Sequence, residues 1–93
     1  MRREAYRLRL REVMARHLQL DDLPERLDDR QRLSEDLGVD SIMLMQLIVW
    51  IELEMKLDVP EHEVDARAYV TIGALLDFML TLQETREEEV RGA

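Results

Sequence analysis

The sequence contains no cysteine, which excludes disulfide bonds, cysteine-ligated zinc sites and catalytic thiols. Any thiol chemistry would therefore have to come from a cofactor. Aromatic residues are also scarce, at 4 % of 93 residues, whereas hydrophobic residues make up 46 %. A core in this chain must consist mainly of aliphatic side chains and methionine. The length is that of one small domain, close to the lower limit for burying a core unaided.

An excess of positive charge is absent as well, because the formal net charge is −8. Since phosphate binding requires a basic face, nucleic acid is not expected as a partner. The charge is unevenly placed: residues 1–20 contain six arginines and two glutamates, for +4, and the remainder carries −12. This acidic remainder predicts faster encounter with proteins that present basic patches.

No apolar run in the sequence is long enough to span a bilayer. The N-terminus has arginines but neither the hydrophobic region nor the cleavage site of a signal peptide. We therefore expect a cytoplasmic protein that does not insert into a membrane.

The spacing of apolar residues predicts an all-α fold, a small four-helix bundle with three main helices and one short one. The main helices are expected over 2–19, 41–57 and 72–82, with Thr71 as the N-cap of the last, and the short helix over 59–65. Core-facing positions are Tyr6, Leu10, Val13, Met14, His17 and Leu18, then Leu44, Leu47, Ile48, Ile51 and Met55, and finally Ile72, Leu75, Leu76, Met79 and Leu82. The arginines of the first helix are expected on its other side. His17 is interpreted as a packed or rim residue, because a lone histidine makes no metal site.

The segment between the first two helices is rich in turn residues but is punctuated by leucines. We interpret 20–40 as a long ordered loop attached to the core by Leu20, Leu23, Leu27, Leu33 and Leu37. We expect these elements to form one domain over 1–83. Residues 84–93 form a charged tail without apolar periodicity, which is expected to fray.

The second helix has more apolar residues than one core-facing stripe requires. Ile42, Met45, Val49 and Leu53 lie away from that stripe. One interpretation is a helix buried on all sides. The other is an exposed surface that binds partner proteins and consists of Met45, Gln46, Val49, Glu52 and Leu53. Glu52 and Glu54 are expected at its rim. Methionine suits such a surface because its side chain is flexible and polarizable. Trp50, near the edge of the core stripe, is expected to pack partly into the core.

Ser41 stands at the start of the second helix, in the stretch DLGVDSIMLM. By composition alone, an N-cap is the favoured interpretation. A catalytic nucleophile is not expected, because no Gly-x-Ser-x-Gly elbow is present and neither His17 nor His62 is near in sequence. Asp36 and Asp40 are interpreted as residues of a solvated loop rather than as an acid/base pair. The remaining alternative is covalent attachment, since a helix N-terminus favours a phosphate.

The motif DLGVDSI, together with the length, acidity and helix order, resembles the acyl carrier proteins, over roughly residues 2–82. In that family the serine of G-x-D-S-[LIV] carries 4′-phosphopantetheine, which comes from coenzyme A. The resemblance implies that Ser41 is the attachment site, that Asp40 helps a phosphopantetheinyl transferase recognise it, and that Ile42 is the hydrophobic contact after the serine. It also implies a carrier that enzymes modify and use, rather than an enzyme.

The sequence departs from fatty-acid carriers just after Ser41, where acidic residues are usual. Met43, Leu44, Met45 and Gln46 stand there instead, similar to the DS-[VI]-x-x-M pattern of aryl carrier domains. The stretches MRREA, DSIMLMQLIVWIE and VPEHEVDARAYVTIGALLDFM resemble the stand-alone carriers of petrobactin-type siderophore pathways. This resemblance implies a 3,4-dihydroxybenzoyl cargo, an adenylating aryl-acid ligase, a condensing synthetase and a monomeric carrier.

Two alternatives share parts of this interpretation. A fatty-acid or polyketide carrier would use Ser41 in the same way but would handle alkyl chains. A helical interaction module would carry no modification, and Ser41 would only be a cap. Incubation with coenzyme A and a phosphopantetheinyl transferase separates the module from both carriers.

Overall fold

The protein is all-α, as predicted from the sequence. The computed structural model describes residues 2–20, 22–60, 64 and 69–82, and within them it contains three helices and an isolated antiparallel bridge. The helices are α1 (Arg2–His17), α2 (Ser41–Glu54) and α3 (Ile72–Thr81), and α1 packs against both of the others. None of these described helices has the length and apolarity that crossing a bilayer would require.

Two predicted segments are not confirmed. Most of the short helix expected over 59–65 lies outside the described residues, and Val59, Pro60 and Val64 lie in no helix. The boundary after residue 83 and the charged tail over 84–93 also lie outside the described residues. The division into a domain and a tail therefore stays a prediction.

The predicted core stripes are largely correct. Sixteen positions were expected to face inward, and thirteen of them are buried; Tyr6, His17 and Met55 are instead partly exposed. The core is aliphatic with two methionines, Met14 and Met79, and both are completely buried. The core therefore consists mainly of aliphatic side chains and methionine, as the scarcity of aromatic residues predicted.

The arginines of α1 do not all face away from the core, and that expectation was wrong for Arg7. The Arg7 residue is only 7 % exposed. Its guanidinium lies 2.6 Å from an oxygen of Asp29 and 3.0 Å from one of Glu4, and it also donates to the Leu27 carbonyl at 3.2 Å. Burial of this charge is tolerated because carboxylates and a backbone oxygen surround it.

The long loop is ordered by leucines and by ion pairs, which confirms the predicted attachment to the core. Leu27, Leu33 and Leu37 are buried, and Leu20 and Leu23 pack against the core at its edge. Asp29 ties the loop to α1 through Arg7 and Arg3, and Arg3 also pairs with Asp77 of α3. One loop carboxylate thus joins the first helix to the loop, and Arg3 extends the network to the last helix.

This network predicts how stability depends on pH. Arg3 first, and Arg7 next, lower the pKa of Asp29. Since the folded-state pKa lies below the unfolded value, the stabilisation is complete above that ordinary value, near 3.8, and is lost as the pH falls below it. Asp29 is more than a third exposed, so we expect it to contribute no more than about 1 kcal/mol.

We therefore expect the midpoint temperature of thermal unfolding to decrease as the pH is lowered from 6 to 3, and to decrease less steeply in Asp29→Asn. Circular dichroism melts at several pH values measure this slope. Asp58→Asn, at an exposed position after α2, is the matched control and should keep the wild-type slope. An Asp29→Asn slope equal to that of the control would contradict the prediction.

The second helix ends three residues before its predicted end at 57. Met55 is its C-cap, and Lys56 has φ of +54°, in the left-handed region. This conformation reverses the chain, and it allows Leu57 and Val59 to return into the core, where both are buried. Apolar periodicity continued through 57 because Leu57 is a core residue after the helix and not within it.

The strain at Lys56 predicts a stabilising substitution. Glycine adopts a left-handed conformation without the Cβ penalty, which is about 1 kcal/mol for other residues. Lys56→Gly should therefore have a larger free energy of unfolding than Lys56→Ala, which removes the same side-chain atoms beyond Cβ but keeps the penalty. Chemical denaturation of the two variants measures the difference, and equal stabilities would show that no strain is stored at this residue.

The loop also pairs with the segment before α3. Arg32 and Thr71 form the isolated bridge, and backbone hydrogen bonds join Leu33 N to Val70 O at 2.8 Å and Ile72 N to Gln31 O at 2.9 Å. Gly73 N donates to Asp29 O at 3.0 Å, and a Cβ at Gly73 would lie only 3.1 Å from that oxygen. This close approach leaves little room for a side chain at position 73 and holds the loop against the first turn of α3.

Candidate functional site

The start of α2 is capped by Asp40 and not by Ser41. Asp40 has extended backbone geometry, and its Oδ1 accepts a hydrogen bond from Met43 N at 2.8 Å. Ser41 is the first helical residue, and it is exposed. The interpretation of Ser41 as an N-cap was therefore wrong, and its hydroxyl is not needed to hold the helix end. The predicted cap of α3 is correct, since Thr71 Oγ1 accepts from Ala74 N at 3.1 Å.

The turn before Asp40 is held by backbone geometry. Gly38 has φ of +74°, which glycine adopts at no steric cost. Val39 then donates its N–H to Leu33 O at 2.7 Å, and its side chain is buried. A buried residue thus stands directly before two exposed ones, Asp40 and Ser41, and this anchors the exposed pair at a defined position on the surface.

An open groove of about 240 Å³ borders Ser41, and sequence reasoning did not find it. We call it the Ser41 groove. Its polar edge includes Arg32, Ser34 and Glu35 from the loop, and its apolar surface is formed by Leu33, Val39, Leu44, Tyr69 and Val70. Only the pairing of the loop with the segment before α3 brings these residues together, and sequence spacing alone carries no signal for it.

The extra apolar residues of α2 are exposed, so the interpretation of a helix buried on all sides was wrong. The exposed fractions are 72 % for Ile42, 38 % for Met45, 41 % for Val49 and 60 % for Leu53. We call these four residues the apolar face of α2. Gln46 is exposed and Glu52 half-buried. Their role in binding partner proteins stays a prediction.

Glu54 does not belong to the rim of this surface, contrary to the expectation. Its carboxylate lies 2.7 Å from Arg16 Nη1 and 3.4 Å from His17 Nε2, and Arg9 donates to its backbone carbonyl at 3.0 Å. His17 first, and then Arg16, lower the pKa of the Glu54 carboxyl. Cations of α1 thus meet the negative end of the α2 dipole, and Glu54 joins the two helices.

His17 is a packed rim residue, as predicted. Its ring stacks on Trp50, with centroids 3.6 Å apart and planes 4° from parallel. Trp50 is half-buried against the core, which confirms its predicted partial packing. Within the part of the chain that the structure describes, no group of three or more acidic, histidine or cysteine side chains is arranged to hold a metal ion.

The family model described as "Phosphopantetheine attachment site" matches residues 8–79, which is most of the chain. The chain belongs to the acyl carrier protein family. It is 44 % identical over 90 residues to the "Acyl carrier protein AsbD" of Bacillus anthracis, covering 97 % of this chain and 98 % of that protein. Acyl carrier proteins of Wolinella succinogenes and Clostridium perfringens strain SM101 are 26 % and 25 % identical, over 77 % and 76 % of this chain and 90 % and 88 % of their own lengths.

This family membership confirms the resemblance to the acyl carrier proteins and the cofactor that it implies. The prosthetic group of the carrier is 4′-phosphopantetheine, and the carrier is used by enzymes rather than being one. In general, carriers of this family interact with phosphopantetheinyl transferases and with synthetases. The alternative of an unmodified interaction module is thereby excluded.

The residues present at the start of α2 fit such a group. Ser41 offers an exposed hydroxyl that takes no part in capping, and the positive end of the helix dipole favours an adjacent phosphate. The Ser41 groove provides both polar and apolar surface beside that hydroxyl. No rearrangement of the backbone is needed to expose the Ser41 hydroxyl.

Proposed function

We propose that Ser41 carries the phosphopantetheine arm and that the carrier holds an aromatic acid, 3,4-dihydroxybenzoate, for transfer to an amine in petrobactin-type siderophore biosynthesis. The observation that carries the attachment is the exposed Ser41 hydroxyl at the first position of α2, beside the capping Asp40. When bound, the arm supplies the thiol that holds the acid as a thioester. Ser41 supplies the oxygen that links the arm to the chain.

Asp40 has two roles in this proposal. Its carboxylate caps α2, and this holds the adjacent Ser41 at the exposed helix start. Its negative charge, next to the serine, helps the transferase to recognise the site. These roles can be separated, because Asp40→Asn keeps a capping oxygen while removing the charge.

The apolar face of α2 is the proposed docking surface for the transferase, the aryl-acid ligase and the condensing synthetase. These enzymes must all reach the same serine, and Ile42 lies directly beside it with the highest exposure of the four residues. Met45 offers an adaptable contact for several partners. Gln46 and Glu52 flank this face and contribute polar contacts.

The choice of an aromatic cargo rests on the resemblance of the stretch DSIMLMQLIVWIE to aryl carriers and on one physical argument. Burying the two hydroxyls of a catechol without partners costs about 1–3 kcal/mol each. The buried polar residue Arg7 is already engaged by Asp29, Glu4 and Leu27 O. A dihydroxyphenyl ring is therefore expected to stay outside the bundle, where partner enzymes can reach it.

Loading with a panel of acids tests the cargo. The phosphopantetheinylated carrier is incubated with its ligase, ATP and either dihydroxybenzoate, other aromatic acids or long-chain fatty acids, and intact mass reports which acid is added. We expect dihydroxybenzoate to be loaded in preference. Backbone amide shifts on loading should cluster near Ser41 and leave the buried residues Leu10, Val13 and Leu76 unmoved. Efficient fatty-acid loading with shifts at those core residues would instead support a carrier of alkyl chains.

A further inference from the structure

Resting on the proposed attachment at Ser41, we propose that the Ser41 groove seats the proximal half of the phosphopantetheine arm, with Arg32 paired to the phosphodiester and Tyr69 and Val70 contacting the pantoyl methyl groups. The groove directly borders Ser41, so the first part of any group joined to that oxygen is the part that can occupy it. The arm is thus held at its root, and only its distal, thiol-bearing half moves freely between enzymes.

The residues that line the groove match the first two chemical groups of the arm, the phosphodiester and the pantoyl unit. A phosphodiester is an anion, and Arg32 is the cation among the described residues that line the groove. The pantoyl unit that follows has two geminal methyl groups, and the groove has an apolar surface of Tyr69 and Val70 over Leu33, Val39 and Leu44. Val70 is 55 % exposed, which leaves its methyl groups open to such a contact.

Arg32 is held in place, and among the residues that the structure describes Glu35 is the one carboxylate paired with its guanidinium. Its backbone is fixed by the bridge to Thr71 and by donation of its N–H to Asp36 Oδ2 at 2.7 Å. Its Nη1 donates to Glu35 Oε2 at 2.5 Å, and the guanidinium has five donor hydrogens in all. The pair with Glu35 is solvent-exposed on both sides and therefore weak, so a phosphodiester can compete for the guanidinium.

The floor of the groove is buried and hydrogen-bonded. Leu33 and Val39 are each 2 % exposed; the bond from Leu33 N to Val70 O joins the loop to the segment before α3, and the bond from Val39 N to Leu33 O joins two parts of the loop. The volume, about 240 Å³, lies below the 300–1,000 Å³ of pockets that enclose whole drug-sized ligands. The groove is therefore suited to part of the arm and not to the whole of it.

Isotope-filtered NMR on the intact carrier tests this seat. Carrier labelled with ¹³C and ¹⁵N is modified with unlabelled coenzyme A and a transferase, and nuclear Overhauser effects are recorded from the arm to the protein. We expect effects between the pantoyl methyl protons and the Tyr69 ring and Val70 methyl groups. The Arg32 Nε–H resonance should shift between the unmodified and modified carrier.

Arg32→Gln should weaken the effects to Tyr69 and Val70 severalfold, because the phosphodiester loses its partner. Arg30→Gln is the matched control: it removes the same charge from an exposed position on the same loop that does not line the groove, and it should leave these effects unchanged. Effects directed to Ile42 and Met45 instead, or equal changes in the two variants, would overturn the proposed seat.

The mass of the carrier distinguishes failure of this inference from failure of the attachment. If Ser41 gains the arm but no contacts to Tyr69 and Val70 are observed, the seat is wrong and the attachment stands. If the arm is found on another residue, the attachment at Ser41 is wrong and the seat is overturned with it.

Discussion

Replacement of Ser41 by alanine is expected to abolish phosphopantetheine attachment completely while leaving the fold intact. The hydroxyl oxygen is the atom to which the arm is joined in our proposal, and alanine offers no replacement. Because Asp40, not Ser41, caps α2, the free energy of unfolding should change by no more than about 0.5 kcal/mol, as for other surface substitutions. Intact mass after incubation with coenzyme A and a transferase measures the first effect, and a thermal melt measures the second.

The chain offers a close control for this variant. It contains two serines, and Ser34 lines the same groove as Ser41 and is likewise exposed. Ser34→Ala should still gain the phosphopantetheine mass, because it keeps the Ser41 hydroxyl. A Ser41→Ala protein that still gained the mass would place the arm elsewhere and remove the basis of the proposed function.

The second large effect is expected at the apolar face of α2. Val49→Asp places a charge where the proposal buries apolar surface against the ligase. Burying an unpaired charge and losing an apolar contact together exceed about 1.4 kcal/mol, which corresponds to a tenfold change. We therefore expect kcat/KM for loading to fall at least about tenfold, with little change in the melting temperature because Val49 is 41 % exposed.

Leu8→Asp is the matched control for Val49→Asp. Leu8 is an exposed apolar residue, 56 % accessible, and it lies on α1, outside the face. The same chemical change at Leu8 should leave loading unchanged. If both variants load normally, the apolar face does not contact the ligase; if Val49→Asp unfolds, Val49 belongs to the core.

Charge at Glu52 should act mainly on the rate of association, so its effect should diminish as salt is raised.

The fold class could be derived from the sequence because its determinants are local. Helical periodicity placed α1, α2 and α3 within a few residues of their observed bounds, and the cap chemistry at Thr71 identified the start of α3. The core composition followed from the shortage of aromatic side chains. The same local method placed the end of the second helix too late, at 57, because Leu57 continues the apolar spacing after Lys56 has already turned the chain.

The candidate attachment residue was also accessible from the sequence, but only through the motif around Ser41. Composition alone favoured a capping role for this serine. Asp40 precedes it and is an equally good cap, so the choice between them depends on backbone angles that the sequence does not display. The structure made that choice, and it thereby separated the serine hydroxyl from the stability of the helix.

Exposure of the apolar face of α2 was left open between two interpretations for a physical reason. Periodicity shows which residues share a face, but whether a face is covered depends on how many neighbouring helices exist and where they pack. Here α1 covers one side of α2, and Ile42 and Leu53 remain open to solvent.

The sequence by itself determined the three main helices to within a few residues, the aliphatic core and the serine motif, because each depends on residues close together along the chain. Only the tertiary structure decided that Arg7 is buried, that Glu54 pairs with α1, and that Arg32 and Tyr69 share a groove beside Ser41. The partners Arg7 and Leu27, Arg16 and Glu54, and Arg32 and Tyr69 are each 20 or more positions apart along the chain. Such contacts form only where packing brings distant segments together, and no local spacing encodes them.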